Sequence, residues 1–168
     1  PKHMEAITAK LSEMGVIVLE EDDGIRVIGK HPLKAVNVKT MPYPGFPTDL
    51  QQPMAVLMTI AQGTSTITES IFESRFKYVD ELRRMGANIS INSRTASITG
   101  VKSLSATKIR TTDLRAGAAM VIAGLIADGE TKITEIVHID RVYENLQENL
   151  RNLGAVIRRV SEKDPACL

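Results

Sequence analysis

The chain has 168 residues, 43% of them apolar and 24% charged, with a formal net charge of +1. That length supports one domain and that apolar fraction a real core, while the near-neutral charge argues against a dedicated nucleic-acid or acidic-membrane surface. One cysteine, Cys167, excludes an internal disulfide framework and fits a reducing, cytoplasmic setting, and no apolar run approaches the roughly 18–20 residues of a membrane span.

Residues 3–14 place Ile7, Leu11 and Met14 on one helical face, with Gly15 as the cap. Residues 16–19 read as a strand, Asp22-Asp23-Gly24 as a hairpin turn, and 25–28 as the return strand. A short strand over 36–40 leads into a loop fixed by Pro44, Gly45 and Pro47. Thr48-Asp49-Leu50-Gln51 then has the form of a capping box, Thr-x-x-Gln, opening a helix to about Ala61 with Pro53 near its first turn. Residues 64–71, rich in Thr and Ile, read as a strand. Phe76, Val79, Leu82 and Met85 mark another helix, closed by Gly86, and a hairpin turns near Asn92-Ser93-Arg94. Residues 116–127 carry only small or aliphatic side chains and predict a buried helix.

The pattern then returns. Thr48-Asp49-Leu50 is matched by Thr112-Asp113-Leu114, and Ile67-Thr68-Glu69 by Ile133-Thr134-Glu135. Arg75 and Arg141 each follow a glycine by twelve residues. Leu82-x-x-Met85-Gly86-Ala87 is matched by Leu150-x-x-Leu153-Gly154-Ala155, and Leu11-x-x-Met14-Gly15-Val16 repeats that half alone. The spacing implies units over about 1–38 (half a unit), 39–104 and 105–160, with 161–168 a tail. A unit buries its apolar face against its neighbours, so a half-unit implies a partial domain whose partner is the remainder of the same polypeptide.

Three arginines recur at element ends. Arg75 and Arg141 follow strands, just before a helix, and Arg115 lies in the first turn of the second Thr-Asp-Leu helix. A cation there opposes the helix dipole, whereas converging guanidinium groups grip carboxylate and phosphate. Asp49 and Asp113 supply the opposite charge. The alternative is a non-catalytic binding module with one structural Arg–Asp pair per repeat. Geometry separates the two: a catalytic site needs Asp49, Arg75, Arg115 and Arg141 on one face. His3, His31 and His138 have no metal-ligand spacing, and no G-x-G-x-x-G or Walker loop is present.

Four motifs occur in order: Pro44-Gly45-Phe46-Pro47-Thr48-Asp49-Leu50-Gln51, Glu73-Ser74-Arg75-Phe76, Thr112-Asp113-Leu114-Arg115 and His138-Ile139-Asp140-Arg141. Together they resemble the enolpyruvyl transferases, and among them the UDP-N-acetylglucosamine 1-carboxyvinyltransferase family, over roughly residues 2–160. The resemblance implies an α/β (α+β) fold, an inside-out α/β barrel of βαβαββ units with helices inside and sheets outside. It implies transfer of the enolpyruvyl group of phosphoenolpyruvate to the 3-hydroxyl of UDP-N-acetylglucosamine, in peptidoglycan precursor synthesis, with no cofactor, metal, nucleic acid or membrane partner.

By that resemblance Asp49 contacts the 3-hydroxyl and takes its proton, and Thr48 lies with it in the sugar site. Ile71 holds the nucleotide sugar through its backbone. Arg115 and Arg141 hold phosphoenolpyruvate, with Arg75 beside them. Two departures stand out. The family's general-acid cysteine and its N-terminal lysine find no match here. Val142 stands where the family has glycine, a strained choice if that position needs positive φ. The chain by itself is therefore expected to release phosphate from the two substrates only at background rate. A colorimetric phosphate assay checks this, and release above a protein-free control counts against it.

Overall fold

A computed structural model describes residues 1–111 and 113–161. Thr112, Cys167 and all of the expected tail except Ser161 lie outside the described residues. Helix α1 (Glu5–Glu13) leads into the antiparallel hairpin β1 (Ile17–Glu21) and β2 (Gly24–Ile28). The next unit runs β3 (Asn37–Lys39), a 3-10 turn (Thr48–Leu50), α2 (Gln51–Met58), β4 (Thr64–Thr68), α3 (Val79–Arg84), β5 (Asn88–Asn92) and β6 (Thr95–Thr99). There follow β7 (Leu104–Ser105), β8 (Lys108–Arg110), α4 (Leu114–Ile126), β9 (Ala127–Asp128), β10 (Lys132–Thr134), α5 (Val137–Asp140) and α6 (Leu146–Asn152).

The main sheet has the order β3-β4-β6-β5. β3 and β4 are parallel, as a helical crossover between them demands, and β4–β6 and β6–β5 are antiparallel. Alternation sets its faces. Val38, Ile67, Ala96, Ile98 and Ile89 are buried, while Thr64–Thr99 and Thr68–Thr95 pair their hydroxyls on the other face at 3.1 and 3.0 Å. β8 and β10 form a second parallel pair, and β7 and β9 a third.

Helices α2 and α4 pack against each other at the centre. α2 buries residues around most of its circumference, including Met54, Ala55, Val56 and Met58. α4 buries Ala116, Gly117, Ala119, Met120, Val121 and Ala123, in agreement with the apolar run in the sequence. A helix apolar all round belongs inside.

The repeated Leu-x-x-x-Gly motif has one structural meaning. Gly15, Gly86 and Gly154 follow α1, α3 and α6 with φ of +92°, +92° and +94°. At each, the glycine N–H reaches the carbonyl three residues back at 2.9 Å, and the next N–H reaches five residues back at 3.0 Å. These bonds satisfy the last carbonyls of the helix, and glycine takes the left-handed conformation without a Cβ penalty.

Three expectations are corrected. Thr48-Asp49-Leu50-Gln51 is not a capping box: Pro47 is the residue before the turn, and no side chain caps it. Gln51 is fully buried, and both of its amide atoms lack a partner among the described residues. The helix also ends at Met58 rather than near Ala61. There the Thr59 hydroxyl takes the Val56 carbonyl at 2.6 Å, and the Thr59 carbonyl accepts from Val101 N–H at 2.7 Å. Finally, the βαβαββ unit implied by the resemblance calls for a strand after Gly154, yet none runs through 155–161.

Glu69, just past β4, ties these elements together. Its side chain is enclosed, with the residue 1% exposed. Oε1 accepts from the Thr40 hydroxyl at 2.8 Å and from the N–H groups of Ile71 and Phe72 at 2.9 and 3.1 Å. Oε2 accepts from the Thr48 hydroxyl at 2.8 Å. Burial works to raise this carboxyl's pKa, but the bonds from Thr48, Ile71, Thr40 and Phe72 outweigh it and hold the group below its ordinary value of 4.5. Nearby Tyr78 is buried with its hydroxyl unpartnered among the described residues, and burial, reinforced by the charge of Glu69, pushes its phenol up.

Two outcomes follow from packing and charge. A Cβ on Gly100 would sit 1.7 Å from the Ala61 carbonyl oxygen, whereas one on Gly24 would meet nothing within 4 Å. Gly100→Ala should cost about 3 kcal/mol or more of unfolding free energy in urea titrations, and Gly24→Ala less than about 0.5 kcal/mol. A depressed carboxylate pKa gives stability that is present above the unfolded value and lost as pH falls through the folded one. The parent should therefore lose stability below pH 4.5, and Glu69→Gln should show a flatter acid limb in the same titrations.

Candidate active site

The 3-10 turn lifts Asp49 from the end of the proline loop. Its carboxylate accepts from Arg115 Nε, and Arg75 Nη1 lies 3.4 Å from the same Oδ1. Arg75 stands on the loop after β4, where Ser74 takes φ of +56°, and its guanidinium lies 4.1 Å from the centre of the Phe72 ring. That cation–π contact fixes the plane of the group. The carboxylate is the exposed member, at 63% of its side chain, against 13% for Arg75 and 33% for Arg115. Asp49 is thus an open carboxylate on a more enclosed cationic floor, not a buried one. Two guanidinium charges against one carboxylate leave a positive excess, which suits an anionic ligand.

Asp113, the counterpart of Asp49, has a different task. It is the N-cap of α4, and its Oδ1 accepts from Arg115 N–H at 2.9 Å and Ala116 N–H at 3.0 Å. The expected alternative, one Arg–Asp pair per repeat on separate surfaces, is therefore not what forms. Asp49 draws one arginine from its own unit and one from the next.

Not every expected residue is joined to this cluster by a hydrogen bond or ion pair among the described residues. Arg141 is the C-cap of the short helix α5 instead of following a strand directly, and its exposed side chain makes no hydrogen bond or ion pair among the described residues. Val142 occupies a turn outside the positive-φ region, so no backbone strain attaches to it. Asp140 is engaged by Arg159 in a two-pronged ion pair at 2.6 and 3.0 Å. Ile71 is partly exposed, and its N–H is given to Glu69. The Thr48 hydroxyl is likewise taken by Glu69.

Glu69, Thr40 and Phe72 were not legible as site residues. The signal was the matched triplet Ile67-Thr68-Glu69 and Ile133-Thr134-Glu135, an acid at a strand end in both copies. Only the first is enclosed; Glu135 is exposed, with Arg110 at 3.8 Å. A hollow of about 380 Å³ borders Arg75, walled by Glu69, Phe72, Phe76, Lys77 and Arg94, among others, but not by Asp49 or Arg115. No metal-holding group of His, Cys, Asp and Glu occurs among the described residues.

Residues 1–150 match the family model described as EPSP synthase (3-phosphoshikimate 1-carboxyvinyltransferase). A UDP-N-acetylglucosamine 1-carboxyvinyltransferase from Clostridium botulinum is 59% identical over 160 residues, 95% of this chain and 38% of that protein. One from Desulfofundulus thermocisternus is 54% identical over 168 residues, covering 99% of this chain and 69% of its own length. Among solved structures, the enolpyruvyl transferase NikO from Streptomyces tendae superposes with a TM-score of 0.83 at 31% identity, over 92% of this chain and 36% of that one. An EPSP synthase from Acinetobacter baumannii, 22% identical, shares the fold with a TM-score of 0.61 over 82% of this chain and 34% of that one. The chain spans 38% of the length of several curated relatives that it matches. The α/β arrangement of helices within strands, the Asp49–Arg75–Arg115 cluster and these likenesses agree, and the chain belongs to the enolpyruvyl (1-carboxyvinyl) transferase family.

Proposed function

We propose that this chain supplies the base and part of the anion site of an enzyme that transfers the enolpyruvyl group of phosphoenolpyruvate to the 3-hydroxyl of UDP-N-acetylglucosamine. The observation that carries the proposal is the convergence of Arg75 and Arg115, from two different units, on the exposed carboxylate of Asp49. The sugar 3-oxygen adds to C2 of phosphoenolpyruvate as its methylene gains a proton from an acid outside this cluster. Asp49 takes the hydroxyl proton, as a base within hydrogen-bond reach does. Phosphate then leaves C2, and loss of a methyl proton restores the double bond.

Fixed guanidinium groups stabilise the phosphate as its charge grows, without reorganising. Arg115 and Arg75 serve in that role. Arg141 joins them only if α5 and the substrate come together, since nothing holds its side chain elsewhere among the described residues. Ile71 offers its carbonyl to the nucleotide sugar. Both proposed substrates are water-soluble and no helix among the described residues is long and apolar enough to cross a membrane. The proposed setting is the cytoplasm, and the proposed pathway is peptidoglycan precursor synthesis.

In the full protein that carries this chain, Asp49→Ala should lower kcat by about a hundredfold or more. Affinity for UDP-N-acetylglucosamine, read by titration calorimetry, should fall by less than about tenfold. Unchanged phosphate release by the variant removes Asp49 from the chemistry.

A further inference from the structure

We propose that Glu69 is a positioning residue, one enclosed carboxylate that aims both the Asp49 carboxylate and the Arg75 guanidinium beside it. The inference rests on the reading of Asp49 as the base. The 3-10 turn bearing Asp49 has little of its own to hold it. No side chain caps it, and its backbone bonds are Leu50 N–H to Pro47 at 3.1 Å and Gln51 N–H to Thr48. What anchors it is the Thr48 hydroxyl, donated at 2.8 Å to Glu69 Oε2 one residue before Asp49.

The other oxygen governs the arginine. Oε1 takes the N–H groups of Ile71 and Phe72 and so fixes the start of the loop. Phe72 carries the Arg75 guanidinium on its ring. Thr40 closes the arrangement: its hydroxyl donates to Oε1 and accepts from Ser70 N–H at 2.9 Å. One buried group thus sets the approach of the guanidinium and the carboxylate that pair with each other. Hydrogen bonds to an ionised acceptor are the strong ones, and an enclosed acceptor has no water to exchange them with.

The second unit is an internal contrast. Its Glu135 is exposed at φ of +61°, and its Asp113 is spent on capping α4. Where the acid at the strand end is enclosed, the aspartate of Thr-Asp-Leu is free of the helix and turned to the arginines. Where it is not, the aspartate caps.

The test uses the full protein carrying this chain, with Thr48→Val, Thr48→Ser and Glu69→Gln beside Asp49→Ala. Valine keeps the size of Thr48 and removes the donor. The Gln amide oxygen still accepts from Ile71 and Phe72, but its nitrogen does not accept from Thr48. Thr48→Val and Glu69→Gln should each lower kcat about tenfold to a hundredfold. In Thr48→Val the KM for phosphoenolpyruvate should change less than about threefold, and Thr48→Ser should recover kcat to within about threefold. If kcat per folded molecule in Thr48→Val stays within about twofold of the parent while Asp49→Ala is crippled, Glu69 is merely structural and the positioning role is wrong.

If Asp49→Ala turns over normally, the base assignment fails, and a readout without substrate decides the positioning. The Arg115 Nε–H resonance in NMR should be protected from solvent exchange in the parent and in Thr48→Ser, and exposed in Thr48→Val. Protection that survives Thr48→Val overturns the proposal.

Discussion

A carboxylate with its solvent removed must be met by donors, and Glu69 meets four within one small volume. Leaving such a charge unmatched inside a protein costs several kcal/mol. That penalty makes the surrounding geometry non-negotiable: β3 must deliver Thr40 just past its end, the proline loop must return Thr48, and the chain must turn at 71–72. These are the segments that surround Asp49. The local order around Asp49 follows from a solvation requirement rather than from Asp49 itself, whose carboxylate is exposed.

Duplicated units share what stability needs and part company where chemistry is done. All three glycine-terminated helices close with the same two bonds, and this device tolerates no alternative to a left-handed residue. The Thr-Asp-Leu triplet is different. In the second unit the aspartate satisfies the first N–H groups of α4, which would otherwise be orphaned. In the first unit a 3-10 turn preceded by Pro47 stands in place of that first helical turn, and the aspartate is released from capping. One sequence motif serves two physical ends because the backbone beneath it differs by a single tight turn.

Periodicity made most elements readable. The Leu-Met spacing before Gly86, the Thr/Ile alternation of 64–68 and the small-residue run of α4 each state a local rule that the structure obeys. The capping box misled because Thr-x-x-Gln meets a local pattern, while the backbone takes a 3-10 turn behind Pro47 and Thr48 gives its proton to a distant acid, Glu69. The same long-range bond hid Glu69 itself: nothing local marks a strand-end glutamate as enclosed. Asp49, Arg75 and Arg115 were legible through repetition and motif together. Arg141 was placed with them by motif, but its position depends on how α5 ends, which sequence spacing does not encode.

The packing of α2 on α4, whose buried side chains include the short Ala116, Ala119 and Ala123, has a metric consequence. Short side chains leave little between packed helices, and within the second unit a Cβ on Gly117 would press 2.6 Å from Ile139 of α5. Arg75 belongs to one unit and Arg115 to the other. The bore of the cationic cradle is therefore gauged by methyl groups in the core, as a jaw is gauged by the shim at its hinge.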